Sequence, residues 1–122
     1  MKSSFNPAKN STLIDIINWD QNNLVPAIVQ QYNTGEVLML AWMNKESIST
    51  TLKTGNAHYY SRSRNEQWFK GETSGNTQKI INICLDCDGD TILLQVDQKG
   101  VACHTGNMTC FFHEVENGLL TN

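Results

Sequence analysis

Nowhere in the 122 residues is there an apolar run approaching the roughly 20 residues that a membrane-spanning helix needs. The opening stretch, MKSSFNPAKNST, lacks the apolar segment of a secretory signal. The expectation is a soluble, cytoplasmic chain with no membrane partner. Proline is scarce, at Pro7 and Pro26 only, and no repeat or low-complexity tract suggests a linker. A single domain over residues 1–122 follows. An excess of one charge is missing too: nine basic and twelve acidic residues leave a net charge of −3. That gives no electrostatic reason to expect a nucleic acid. None of the three histidines, His58, His104 and His113, is followed by x-Glu, and no proline precedes a cysteine. The signature of the zinc nucleoside deaminases is therefore absent.

What is present begins with size. A chain of this length can bury a core without disulfide staples. Its four cysteines, Cys84, Cys87, Cys103 and Cys110, then point towards thiolates and metal binding rather than cross-links. The segment STLIDIINW places apolar residues at helical spacing behind a Ser/Thr cap, predicting a helix over residues 11–19. LVPAIVQQ and EVLMLAWM flank YNTG and read as a hairpin of buried strands. NKESISTTLKTG opens with Asn44 as N-cap and closes with Gly55, predicting a second helix. AHYYSRS, QKIINICLD, TILLQVD and TCFFHEV read as further strands, and ENGLLTN as a fraying tail. The fold class is β-rich α+β, with two short helices and roughly six strands in mixed or antiparallel sheets.

The stretch ICLDCDGD concentrates two cysteines and three aspartates. Alternation along a strand puts Cys84, Asp86 and Asp88 on one face and Cys87 on the other, so Cys84 and Cys87 do not share an ion. Cys84 is expected in the core. Asp86, Asp88 and Asp90 resemble positions 1, 3 and 5 of an EF-hand loop, but Thr91 stands where that loop needs glycine, and a strand follows. Two readings stay open: a solvated turn, or a carboxylate trio whose mutual repulsion a hard cation such as Mg²⁺ relieves.

CHTGNMTC offers partners for Cys87. Its Gly106-containing turn can bring the sulfurs of Cys103 and Cys110 back to one point. Three thiolates would leave one open position on a tetrahedral zinc, as catalytic sites require. His104 beside them is a candidate proton carrier. The alternatives are a hairpin disulfide or plain burial for the cysteines and a surface imidazole for the histidine. The stretch YYSRSRNEQWFKGETSG supplies Arg62, Arg64 and Lys70, the hydroxyls of Thr73 and Ser74, and Gly71 and Gly75, where backbone amides could meet an anion. Trp68 could stack on a base. A polar hairpin loop with a half-buried tryptophan is the plainer alternative.

Taken together, LVPAIVQ, TGEVLMLAWMN, YYSRSR, WFKGETSG, LDCDGD and CHTGNMTCFF, in this order from Leu24 to Phe112, closely resemble the phosphoribosyl-AMP cyclohydrolase family in its monofunctional form. The resemblance implies a cytoplasmic, intertwined homodimer of histidine biosynthesis. It implies that a zinc-activated water opens the purine ring of 1-(5-phosphoribosyl)-AMP at N1–C6 to give a formimino-aminoimidazole carboxamide ribotide, the pathway's third step. Carried onto this chain, the zinc ligands fall on Cys87 of one subunit and Cys103 and Cys110 of the other, and the magnesium ligands on Asp86, Asp88 and Asp90. His104 becomes the catalytic proton carrier. Arg62, Arg64, Trp68, Lys70, Gly71, Thr73, Ser74 and Gly75 become substrate contacts. The competing reading is a non-catalytic zinc module, which requires a fourth protein ligand.

Overall fold

The apolar residues Val25, Ala27 and Val29 alternate with half-buried ones along β1 (Val25–Gln31), and Leu38, Met39, Ala41 and Met43 turn inward from β2 (Val37–Met43). Together with Ile92, Leu94 and Val96 of β6 (Ile92–Gln98), they form the centre of the core. The structure is a computed structural model that describes residues 5–122. The part of the expected 1–122 domain that falls on residues 1–4 lies outside the described residues.

The main sheet has six strands in the order β4-β3-β2-β1-β6-β5, with β3 at His58–Ser61, β4 at Glu66–Phe69 and β5 at Gln78–Leu85. Neighbours run antiparallel except β1 and β6, which pair in parallel with Ala27 opposite Ile92. The sheet is therefore mixed, and the β-rich α+β class holds. Helix α2 (Lys45–Thr54) starts at the expected Asn44, whose side chain accepts from the Ser47 amide at 2.9 Å while the Ser47 hydroxyl accepts from the Asn44 amide at 2.8 Å. It ends at Gly55, left-handed at φ 77°, a conformation glycine adopts without a Cβ clash. Among the described residues no helix is long and apolar enough to cross a membrane.

Four expectations are corrected. The first helix is a single turn, α1 (Leu13–Ile16), because the Thr12 side chain makes no capping bond and Ile17 is already extended. TCFFHEV is not a strand before its last residue, Val115: the Thr109 hydroxyl and Cys110 amide donate instead to the carbonyls of Val37 and Leu38. The expected fraying tail closes into a hairpin, β7 (Val115–Glu116) against β8 (Leu119–Leu120). Asn117 and Gly118 take φ 53° and 78°, as a tight hairpin turn demands. Finally, Cys84 is exposed rather than in the core. A bulge between Ile80 and Asn82 shifts the pairing with β6, so Ile80, Ile83 and Leu85 pack inward and Cys84 faces out from an edge strand.

Candidate active site

Two loops meet beyond the end of β6. Residues 99–110 carry the thiols. The Cys103 amide donates to the Asn107 carbonyl at 3.1 Å and the Gly106 amide to the Cys103 carbonyl at 3.0 Å, closing a turn that Gly106 permits at φ 93°. The Cys110 amide donates to Leu38 on β2 at 2.7 Å. The result brings the Cys103 and Cys110 thiols close enough to influence each other's ionisation. They form no disulfide.

Residues 70–77 form the facing loop. The Gly75 amide donates to the Gly71 carbonyl at 2.8 Å. A Cβ on Gly71 would stand 2.6 Å from the Asn76 and Thr77 backbone, so the loop's own close packing requires that glycine. Between the loops lies a cavity of about 590 Å³. Of the expected site residues, Arg64, Trp68, Lys70, Gly71, Thr73, Ser74, Cys103, His104 and Cys110 line it. Arg62 stacks instead over Trp42, 4.2 Å from the ring centre, in a neighbouring groove that shares Arg64 and Trp68 with the first. Gly75 lines neither of these two grooves.

The electrostatics of the cavity are uneven. Thr105 holds the Cys103 thiol below its ordinary pKa through its hydroxyl, 3.0 Å from the sulfur, and its amide, with smaller help from Cys110 and Lys70. Burial pushes the Cys110 thiol up, and the negative charge on Cys103 pushes it further. Lys70 is only 7% exposed. Burial lowers its pKa, while the two thiols act in the opposite sense. A cation thus sits against a pair of sulfurs. Arg64 is partly neutralised by Glu66 at 3.6 Å, and Glu66 and Glu72 also line the space.

The carboxylates gather elsewhere. Asp86, Asp88 and Asp90 present oxygens within 4.8 Å of one another in the β5–β6 turn. Burial pushes Asp86 up, but the amides of Asp90 and Thr91 at 3.0 and 3.2 Å, with the side chains of Asp90 and Asp88, bring it below the usual carboxylate range. A hydrogen bond to Asp88, then burial and Asp86, raise Asp90. Three carboxylates with oxygens this close are chemically suited to a hard cation. Cys87 belongs to this turn. Its separation from Cys103 includes the whole of β6, roughly 20 Å for its seven residues at ~3.3 Å each. One chain therefore unites Cys103 with Cys110 but leaves Cys87 apart.

One contributor escaped the sequence reading. Thr105, two residues beyond Cys103, is the short-range hydroxyl contact that Ser and Thr make readily.

Paired thiols, an imidazole, a nearly buried ammonium and a row of hydroxyls around one cavity make a polar cleft of the kind an enzyme uses for a polar substrate. Residues 39–112 match the family model described as phosphoribosyl-AMP cyclohydrolase. The chain is 56% identical over 106 residues to the phosphoribosyl-AMP cyclohydrolase of Thioalkalivibrio sulfidiphilus, covering 86% of this chain and 81% of that protein. It is 66% identical over 90 residues to the enzyme of that name from Thermobifida fusca, covering 74% of this chain and 78% of that one. A histidine biosynthesis bifunctional protein of Wolinella succinogenes is 60% identical over 106 residues, covering 87% of this chain and 46% of its own length. The chain belongs to the phosphoribosyl-AMP cyclohydrolase family, hydrolases of histidine biosynthesis that act on cyclic amidines.

Proposed function

We propose that the protein opens the purine ring of 1-(5-phosphoribosyl)-AMP by adding water at C6 and breaking the N1–C6 bond. The observation that carries this reading is the meeting of Cys103, Cys110 and His104 with Lys70, Thr73 and Ser74 around one cavity. Cys103 and Cys110, with Cys87 of a second copy, would hold zinc. Asp86, Asp88 and Asp90 would hold magnesium. The donor sets fit: soft thiols, one already inclined to ionise, for the first and clustered carboxylates for the second. Zinc bound there would supply an activated water, though three anionic thiolates would acidify it less than three neutral imidazoles would.

The chain's own residues do the rest. His104, exposed at the cavity edge, moves protons to and from the ring nitrogens. Lys70 and Arg64 supply positive charge and Thr73 and Ser74 supply hydroxyls for the substrate's phosphate and ribose groups. Trp68, tilted on Tyr59 at 5.5 Å between ring centres, is fixed where a base can stack. Arg62, with Ser61 and Ser63 in the adjoining groove, would add charge and hydroxyls for a phosphate reaching that side.

Ultraviolet absorbance during incubation with phosphoribosyl-AMP tests the reading. Turnover is expected without chelator and absent with it. His104→Ala is expected to lose about 10²–10⁴-fold in kcat with zinc content intact. Cys87→Ala or Cys110→Ala should lose both zinc and turnover. Wild-type turnover in Cys87→Ala would overturn the zinc assignment.

A further inference from the structure

Beneath the cavity floor runs a chain of buried polar groups that no step of the proposed reaction uses. The Tyr59 hydroxyl donates to Gln78 Oε1, and Gln78 Nε2 donates to Gln98 Oε1 at 2.8 Å. Gln98 Nε2 then faces four backbone carbonyls: Lys99 at 2.9 Å, Asn76 at 3.2 Å, Thr77 at 3.4 Å and Val101 at 3.4 Å. Tyr59 and Gln78 are fully buried and Gln98 nearly so. The orientation of the Gln98 amide is determined by this setting. Turned over, its oxygen would face four carbonyl oxygens and its nitrogen the Gln78 amide, leaving buried groups unpaired.

The four carbonyls belong to two different loops. Asn76 and Thr77 end the loop that carries Lys70, Thr73 and Ser74, while Lys99 and Val101 begin the one that carries Cys103 and His104. The loops also touch directly. The Lys99 amide donates to Thr77 at 2.9 Å, and a Cβ on Gly100 would overlap the Asn76 side chain. Gln98 itself lines no part of the cavity.

We infer that Gln98 is a positioning residue, whose amide clamps the thiol loop and the hydroxyl loop together so that both halves of the site keep one geometry. The inference rests on the proposed catalytic reading of those loops. It differs from a purely structural role in what its loss does: the loops separate while the sheet stays folded.

Gln98→Met keeps the volume and removes every amide bond; Gln98→Asn keeps the amide but shortens its reach by one methylene and is the milder variant should the first fail to fold. Val29→Ala, in the core of β1 and away from both loops, serves as a variant of matched melting temperature. Hydrogen exchange over residues 71–77 and 99–106 and the alkylation rate of Cys103 are read alongside kcat and KM. In the Gln98 variants both loops should exchange faster and Cys103 should alkylate faster than in Val29→Ala. Misplaced catalytic groups typically cost up to ~10²-fold, so kcat/KM should fall about 10- to 100-fold, with kcat reduced and KM raised. Loops that exchange no faster than in Val29→Ala overturn the inference, as do loosened loops with kcat and KM unchanged. Failure of the catalytic reading shows separately as no turnover by the wild type, and the exchange and alkylation arms then decide the clamp alone.

Discussion

A phenol sealed from water keeps its proton well beyond the pH at which a free tyrosine loses it. Tyr59 is fully buried, and burial pushes its hydroxyl pKa far above the ordinary value of 10.0. Below about pH 10 the group is neutral in both folded and unfolded chains, so it contributes no pH dependence. Above that, the unfolded chain releases the proton and the folded chain does not. The folded state then binds more protons, and stability falls as pH rises. Tyr59→Phe is expected to cost about 1–3 kcal/mol near neutrality because Gln78 Oε1 loses its donor. That deficit should shrink by about 1.4 kcal/mol per pH unit above about pH 10, where only the wild type pays the penalty. Urea unfolding from about pH 8 to about pH 11 measures it. A deficit that stays constant above pH 10 would contradict the assignment. The burial of Tyr59 was invisible in AHYYSRS, where two adjacent tyrosines compete for the inward face. Cys84 shows the converse: the usual burial of a lone cysteine suggested the core, and one bulge at Ile81, unmarked by glycine or proline, turned it outward.

Secondary elements were legible where their signals are local. Helix α2 was readable at both ends because Asn44 and Gly55 act on their immediate neighbours, through an amide bond at one end and a left-handed φ at the other. Asn44 Oδ1 also accepts from Gln67 Nε2 of β4 at 3.1 Å, so the cap ties the helix to the outer hairpin. Asn44→Ala is expected to destabilise the protein by about 1 kcal/mol, somewhat more than an isolated cap because of Gln67, and Asn44→Asp to recover most of it. Thermal melting of the three proteins checks the order. The segments misread are those whose hydrogen bonds go to distant partners. Thr109 and Cys110 bond to Val37 and Leu38 across the fold, which no periodicity announces. The β7–β8 hairpin has two residues per strand, too few for alternation to register. Its Asn-Gly turn was the one available clue.

At the scale of the molecule, the parallel pairing of β1 with β6 decides how the candidate ligands are distributed. β6 enters the sheet from the aspartate turn and leaves it towards the thiol loop. Cys87 therefore sits before its first residue, and Cys103 and Cys110 lie beyond its last. Spacing in the sequence could suggest that Cys103 and Cys110 converge, but only the path of β6 shows that Cys87 cannot join them within one chain. The proposed zinc site consequently needs a second copy, and its exposed neighbours Leu40, Met108 and Phe111 offer apolar surface around the thiol loop for such a contact. Subunit mixing tests this directly. Cys87→Ala and Cys110→Ala homodimers should each be inactive. In a mixed dimer one site receives both lesions and the other receives neither, so one of two sites is whole. Random exchange makes about half the dimers mixed, and about one quarter of wild-type activity, with zinc in proportion, should return. A site completed within a single chain would give no recovery on mixing, because every chain carries a lesion of its own.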